Sequence, residues 1–336
     1  MEDKTLKIAV VGATSIAQIV HLPMLARMKN VKLVALCDPD LALAQPIARH
    51  FNIPQVYPRL EELLQKESLD AVDICNPLES RFDSAIIALQ RGLHVLIEKP
   101  FAANRVQAEQ MVQTARAQQR KIMVLMSLRF RPDAIILKSV VNSKQLGEVF
   151  YVKAGWLRRN EKWLQAESMP TQEGGLLATW GVQLIDLGLW LLGNPVVHRL
   201  KAVNFNRIYG AELPDSSLIV MHLADSRLFT IEIGWNLRTG KDFIYLNLLG
   251  NLGAARLNPL TILKKQGDQL IDMTPALKMI RRKPYLKSYE SQLAHFVFCI
   301  LNNQPIQASA EEILTRWPIL DAISLSAQSG REVELA

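Results

Sequence analysis

Hydrophobic residues recur along this chain in two rhythms. In the first third, short continuous apolar runs alternate with stretches whose apolar residues return every three or four positions. The runs are Lys7–Val11, Val31–Cys37, Ala71–Cys75, Leu93–Ile97 and Ile122–Met126, with a shorter one near 55–57. Continuous β-branched runs bounded by Gly, Pro or Asp predict strands buried on both faces. The intervening periodicity predicts helices from the turn after Val11 through about Met28, and over 41–50, 59–66, 83–90 and 107–118. Strands and helices alternating at this spacing predict a parallel, doubly wound sheet with a domain boundary at residue 127.

Beyond residue 127 the period changes. A helix is expected over 134–142, and then 149–157, 197–206, 217–223, 228–237 and 243–249 alternate apolar and polar positions. Strands with one wet face predict one large, open, mostly antiparallel sheet. Its apolar positions offer a subunit interface. Residues 174–192 read as one apolar helix, and 289–301 and 311–326 as two more. The fold class is α/β: a dinucleotide-type domain over 1–127 and an α/β domain over 128–336.

Composition excludes several classes. The 336 residues suit two domains, and 49% apolar with 21% charged residues is ordinary for a globular protein. No apolar run reaches the roughly 18 residues of a membrane span. Met1-Glu2-Asp3-Lys4 runs straight into a strand, so no signal peptide is expected. Three cysteines and six histidines show no metal-ligand spacing, which predicts a reducing, cytoplasmic setting and no metal site. The net charge of +7 includes the basic cluster Lys278, Arg281, Arg282, Lys283 and Lys287, but no nucleic-acid motif accompanies it. The charge suits an anionic small-molecule substrate better.

Candidate chemistry collects at the carboxyl ends of the parallel strands. Gly12 opens a turn into a helix, the place for a phosphate. Thr14 stands where the glycine fingerprint has its second glycine, and offers a hydroxyl or holds a phosphate slightly off. Asp38 ends the second strand, where a carboxylate accepts from an adenosine ribose and repels a 2′-phosphate, favouring NAD(H) over NADP(H). Asn76-Pro77 and Glu98-Lys99-Pro100 end two further strands. A lysine partly desolvated there can exchange a proton near neutral pH.

Together these motifs resemble the Gfo/Idh/MocA oxidoreductases, which include glucose-fructose oxidoreductase and inositol dehydrogenase. His21-Leu22-Pro23, Arg129-Phe130-Arg131-Pro132, Glu173-Gly174-Gly175, Ile185-Asp186 and Ser329-Gly330-Arg331 extend the resemblance over nearly the whole chain. The resemblance implies a Rossmann domain, a nicotinamide cofactor, a sugar, cyclitol or related polyol substrate, and dimers or tetramers formed through the second sheet. It places Gly12, Thr14, Ser15, Ile16, Asp38, Asn76, Pro77, Glu98, Lys99 and Arg129 around the cofactor, with Lys99 as acid/base.

The departures concern proton chemistry. Where the family usually carries an Asp and, four residues on, a His, this chain has Thr179 and Gln183. Asp186 shares their helix face. Gln183 orients a hydroxyl or carbonyl but exchanges no proton near neutral pH. Arg81 and Leu78 replace a frequent His and Asn. Arg158, Arg159 and Trp163 are candidates for substrate contact. Two functions follow: a hydride-transferring oxidoreductase that works through Lys99, with Thr179, Gln183 and Asp186 beside it, or a cofactor-binding regulator or sensor with little or no turnover. Related NAD-dependent glycosidases offer a third use of the same cofactor, which no feature here selects.

Overall fold

The computed structural model describes residues 4–159, 175–205, 214–237, 241–276 and 284–335. The chain forms two compact units, Met1–Ser127 with Leu286–Leu314, and Leu128–Tyr285 with Thr315–Ala336.

The first unit follows the expected alternation. Its elements are β1 (Leu6–Val11), a π-helix (Ala17–His21) running into α1 (Leu22–Leu25), β2 (Val31–Cys37), α2 (Leu41–His50), β3 (Gln55–Tyr57), α3 (Leu60–Lys66), β4 (Ala71–Ile74), α4 (Leu78–Gln90), β5 (His94–Ile97), α5 (Arg105–Ala117) and β6 (Ile122–Val124). The strand order is β3-β2-β1-β4-β5-β6 and every pair is parallel. This is the doubly wound order, which reverses between β1 and β4. β4 is buried at every position although it contains an aspartate, Asp73. Helix starts follow local chemistry: Asp40 accepts the Leu43 N–H at 3.0 Å ahead of α2, and Asn104 that of Gln107 at 3.0 Å ahead of α5.

The second unit holds α6 (Pro132–Asn142), β7 (Val149–Arg159), a second π-helix (Leu177–Gly181) continuing as α7 (Val182–Leu191), β8 (Val197–Phe205), β9 (Ser216–Leu223), β10 (Leu228–Leu237), β11 (Phe243–Gly250), β12 (Gly253–Leu257), β13 (Thr261–Gln266) and β14 (Gln269–Asp272). Together with β15 (Val333–Glu334) they make a nine-stranded sheet, β14-β13-β12-β11-β7-β10-β9-β8-β15. It is antiparallel except for β7 and β10, which run side by side in parallel. One face packs its Leu200, Ile219, Met221, Phe229 and Ile231 into a core shared with α6 and α7. Val203, Phe205, Leu218 and Phe243, on the alternate positions, are each about 40% exposed. The hairpins β12 to β14 escape the sequence pattern because β14 is exposed throughout and lacks a buried alternation.

The C-terminal segment departs from the expected division, which gave all of 128–336 to the second domain. α8 (Pro284–Leu301) and α9 (Ala310–Leu314) return largely to the first unit, and only α10 (Trp317–Ser329) stays with the second. The reason lies at the sheet edge. β6 would leave unpaired backbone groups, a hazard in any sheet. Ser309 bridges Met123, the Ala308 carbonyl accepts the Val124 N–H at 3.0 Å, and Gln292 of α8 donates to the Val124 carbonyl at 3.1 Å. The single helix expected over 311–326 is therefore two helices with a break at Thr315-Arg316.

His94, at the start of β5, accepts the Lys121 N–H through Nδ1 at 3.0 Å. Burial, with Arg120 and Lys121 nearby, pushes its pKa down to about 4. The folded protein holds this imidazole neutral while the unfolded chain takes up a proton at its ordinary 6.5. Stability is therefore lost as pH falls from 6.5 towards 4. His94→Asn, whose Oδ1 can take the same N–H, flattens that part of the dependence when urea midpoints are compared at the two ends of the range.

Candidate active site

β1 ends in a turn that any side chain would block. Gly12 has φ +98°, and a Cβ there would stand 2.5 Å from the backbone nitrogen of Asn76. The close approach joins the carboxyl ends of β1 and β4 at the point where the strand order reverses, which is where doubly wound sheets take their ligands. Helical residues 15–25 follow, so the first N–H groups of that helix have no intrahelical acceptor and face the turn. Ser15 is exposed and Ile16 half-buried.

The neighbouring residues are organised around this turn. The Thr14 hydroxyl donates to the Cys75 carbonyl at 2.9 Å, so its proton ties the turn to the end of β4. Asp38 accepts the Ala13 N–H on Oδ2 at 2.7 Å and the Asp40 N–H on Oδ1 at 2.9 Å. One carboxylate thus links the ends of β1 and β2. Asn76 donates to Ser84 Oγ at 2.9 Å, while its Oδ1 is buried without a partner among the described residues. An orphaned acceptor at this point matches a hydroxyl of a bound nucleotide. Pro77, next to it, is exposed.

Lys99 follows β5 and is half-buried. Two features hold its surroundings. Arg81, 4% exposed, donates from Nε to the Asn76 carbonyl and from Nη1 to the Pro100 carbonyl, each at 2.8 Å. It stitches the turn after β4 to the turn after β5. Behind Glu98 lies a closed group of ionisable side chains. His21 Nδ1 is 2.7 Å from Asp73 Oδ2, and its Nε2 is 3.1 Å from Glu98 Oε1. The second Glu98 oxygen accepts the Lys99 N–H at 3.1 Å. Cys75 Sγ lies 3.4 Å from His21 Nδ1. Although burial opposes charge on the imidazole, the Asp73 carboxylate raises its pKa well above 6.5. Burial pushes the Cys75 thiol up to about 12, so it stays neutral. His21, Asp73 and Cys75 are the kinds of group that bind metals. The 2.7 Å contact is a hydrogen-bond separation, whereas two ligands on a tetrahedral ion at ~2.0 Å keep about 3.3 Å between them.

In the second unit, Thr179 lies in the π-helix and Gln183 at the start of α7. Gln183 Nε2 donates to the Thr179 carbonyl at 3.3 Å, and the buried Thr179 hydroxyl has no partner among the described residues. Arg158 lies over the Trp180 ring at 5.4 Å and pairs with Asp242 at 3.1 Å. Trp156 stacks on Trp180. Trp163 and the side chain of Arg159 fall outside the described residues.

Arg129 and Asp186 are brought together, and not to an open surface. Their side chains are each 1% exposed and form a bidentate ion pair, Arg129 Nε to Asp186 Oδ2 at 2.5 Å and Nη2 to Oδ1. Arg316 adds a third contact to Asp186 at 3.3 Å. The carboxylate proposed to orient substrate is held instead by two guanidiniums. The guanidinium expected beside the cofactor is engaged in the same pair.

Comparison with known proteins agrees with this geometry. A model described as an oxidoreductase family with an NAD-binding Rossmann fold matches residues 6–126, and the GFO/IDH/MocA C-terminal domain matches 135–256. The chain belongs to the Gfo/Idh/MocA oxidoreductases. It is thus an enzyme of the NAD(P)-dependent dehydrogenase class. A D-glucoside 3-dehydrogenase of Escherichia coli K12 is 26% identical over 100% of this chain and 99% of its own length. An inositol 2-dehydrogenase of Corynebacterium glutamicum is 26% identical over 71% and 69%. An oxidoreductase of Agrobacterium radiobacter, solved with NAD+, L-tartaric acid and magnesium, superposes with TM-score 0.86 at 18% identity, covering 98% of each chain, and so shares the fold. Sequence reasoning missed the roles of His21, Asp73 and Arg81. A usable signal was present for Asp73, a charge inside an otherwise apolar parallel strand, which has to find a buried partner.

Proposed function

We propose that the protein transfers hydride between NAD(H) and a sugar, cyclitol or related small polar substrate, with Lys99 as acid/base. The observation that carries this reading is the placement of the Gly12 turn, Asp38, Asn76 and Lys99 along the carboxyl ends of one parallel sheet. The site fits a dinucleotide: a close-approach glycine, the start of a helix just after it, a carboxylate at the end of β2 and an orphaned amide oxygen. A bound nicotinamide supplies or accepts the hydride. Lys99 Nζ takes the hydroxyl proton when an alcohol is oxidised and returns it when a carbonyl is reduced. Thr179 and Gln183 hold hydrogen bonds and move no proton near neutral pH. The substrate class follows the glucoside and inositol dehydrogenases to which the chain is similar. The exposed Val203, Phe205, Leu218 and Phe243 on one face of the nine-stranded sheet support pairing with a second copy, as homodimer or homotetramer.

Nucleotide titration tests this reading. NADH is expected to bind at least tenfold more tightly than NADPH, followed by nicotinamide fluorescence. Asp38→Ala narrows that gap by removing the charge that opposes a 2′-phosphate. Equal affinity for both nucleotides in the wild-type protein overturns the role of Asp38. Failure to bind either overturns the enzyme reading itself.

A further inference from the structure

The amino ends of the parallel strands line a cavity of about 490 Å³, at the opposite end of the sheet from Gly12, Asn76 and Lys99. Leu6 opens β1, Asp70 directly precedes β4, His94 opens β5 and Arg120 lies just ahead of β6, and these strands stand side by side. Ile300 and Leu301, at the end of α8, add an apolar wall. The volume is that of a pocket for a small organic molecule, more than a bare ion fills. The lining carries donors that the fold does not use. His94 accepts the Lys121 N–H on Nδ1, so the neutral ring carries its own proton on Nε2. Burial and two nearby cations push its pKa down to about 4, which keeps the ring neutral at working pH. Its Nε2 has no acceptor among the described residues. Arg120 gives Nε to the Gly92 carbonyl and Nη1 to the Gln119 carbonyl, which fixes the guanidinium, while Nη2 has no acceptor among the described residues. Lys4 adds an exposed ammonium. The one carboxylate of the lining, Asp70, accepts the Lys7 N–H at 2.7 Å on Oδ2. The negative carboxyl end of α8 is answered by Lys121, whose ammonium donates to the Gln304 carbonyl at 2.7 Å and to Asn303 Oδ1 at 3.0 Å. Two cations against one carboxylate leave the lining net positive.

We propose that this cavity is a second ligand site, for a small hydroxylated organic anion: a sugar acid or a sugar phosphate. The charged oxygens of the ligand meet Arg120 and Lys4 and accept the His94 Nε2–H. Its hydroxyls donate to Asp70, and its carbon skeleton covers Ile300 and Leu301. The site does not depend on the hydride-transfer reading, because every residue it uses lies at the opposite end of the sheet from the nucleotide turn. Charge selects the ligand. An oxyanion gains hydrogen bonds from two cations, and charge-assisted bonds are roughly twice as strong as neutral ones. A cationic ligand would meet Arg120 and Lys4 with only Asp70 to offset them. A bare inorganic oxyanion would engage the donors and leave the apolar wall wet. His94 also reports on the site, since an anion bound beside the ring favours the imidazolium and raises its pKa.

The test follows the His94 ring by NMR in the full chain carrying isotope-labelled histidine, with His94→Asn assigning its signals. Gluconate, glucose 6-phosphate, glucose and inorganic phosphate are titrated separately at neutral pH. One of the two organic anions is expected to shift the His94 signals saturably and to bind about tenfold or more tightly than glucose or inorganic phosphate. The tighter of the two names the source of the charge, a carboxylate or a phosphate ester. With that ligand saturating, the His94 midpoint is expected to rise from about 4. Arg120→Gln is expected to weaken binding about tenfold, the loss of one hydrogen bond to a charged group, while circular dichroism shows the fold intact. Should Arg120→Gln fail to fold, Lys4→Gln at an exposed position is expected to weaken binding in the same direction. The proposal is overturned if neither organic anion moves the His94 signals at about 10 mM, tenfold above a millimolar Kd. It is equally overturned if glucose or inorganic phosphate binds as tightly as both, if the His94 midpoint stays in place with ligand bound, or if folded Arg120→Gln binds at full strength.

Discussion

Lys99→Ala is expected to lower kcat by about 10²- to 10⁴-fold, the range a positioned general acid or base contributes, while changing NADH affinity by less than about twofold. The size of the loss follows from what the chain lacks elsewhere. The resemblance to the family leads to the expectation of an Asp and a His at the positions where this chain has Thr179 and Gln183. A hydroxyl and an amide hold hydrogen bonds well and move no protons near neutral pH. Gln183 is already turned onto the Thr179 carbonyl at 3.3 Å. With Lys99 removed, no second group named for the substrate can take over its proton. Nucleotide affinity survives because the contacts argued for it, the Gly12 turn, Asp38 and Asn76, are separate from the lysine amine and held by their own backbone bonds. Steady-state kinetics with a polyol substrate, together with fluorescence titration of the same variant, checks both halves. A variant whose kcat stays within a few-fold of wild type removes Lys99 from the mechanism. Introducing Asp and His at 179 and 183 in the Lys99→Ala protein offers a further comparison, since any activity recovered measures what that lost pair would contribute.

How much of this was legible in the sequence depends on which physical signal each residue leaves. The parallel sheet was legible because strands buried on both faces must be largely apolar, and β1, β2, β4 and β5 are, apart from Lys7, Lys32, Asp73 and His94. Gly12 was legible because only glycine makes that turn. Asp38 was legible as a carboxylate at a strand end, but its two N–H contacts were not, since they depend on how Ala13 and Asp40 fold back. Thr14 was read as offering its hydroxyl to a phosphate or as holding one slightly off, and the structure turns that hydroxyl onto the Cys75 carbonyl, a partner far away in sequence. The return of α8 to the first unit was invisible because helix periodicity says which face is apolar and nothing of which sheet covers it. His21 left only a Leu-Pro neighbour. Its contacts are with Asp73 on β4 and Glu98 just past β5, and that pairing exists only after folding.

The Arg129–Asp186 pair shows the same limit with a larger energetic consequence. Asp186 shares a helix face with Thr179 and Gln183, and helix geometry alone nominates it for the substrate. The folded chain gives it two guanidiniums instead, Arg129 in bidentate contact and Arg316 at 3.3 Å, with all three side chains 5% exposed or less. Arg316 is held in turn by the side chain of Asn194, and the Trp190 ring lies 5.8 Å from Arg129. Asp186→Ala removes the carboxylate that both buried guanidiniums contact. Breaking a buried pair in this way costs about 3–5 kcal/mol, because the charges left behind keep their desolvation cost and lose their compensation. The expected result is a large drop in the urea midpoint. Arg316→Met is expected to cost less, since Arg129 and Asp186 keep their bidentate pair. The readout that separates structure from catalysis is KM for the polyol, measured on whatever fraction of Asp186→Ala stays folded at low temperature. A carboxylate whose oxygens are both engaged by arginine has little left to offer a substrate hydroxyl, so KM should hold while stability falls. The opposite pattern, unchanged stability with a raised KM, would return Asp186 to the substrate and make the ion pair incidental.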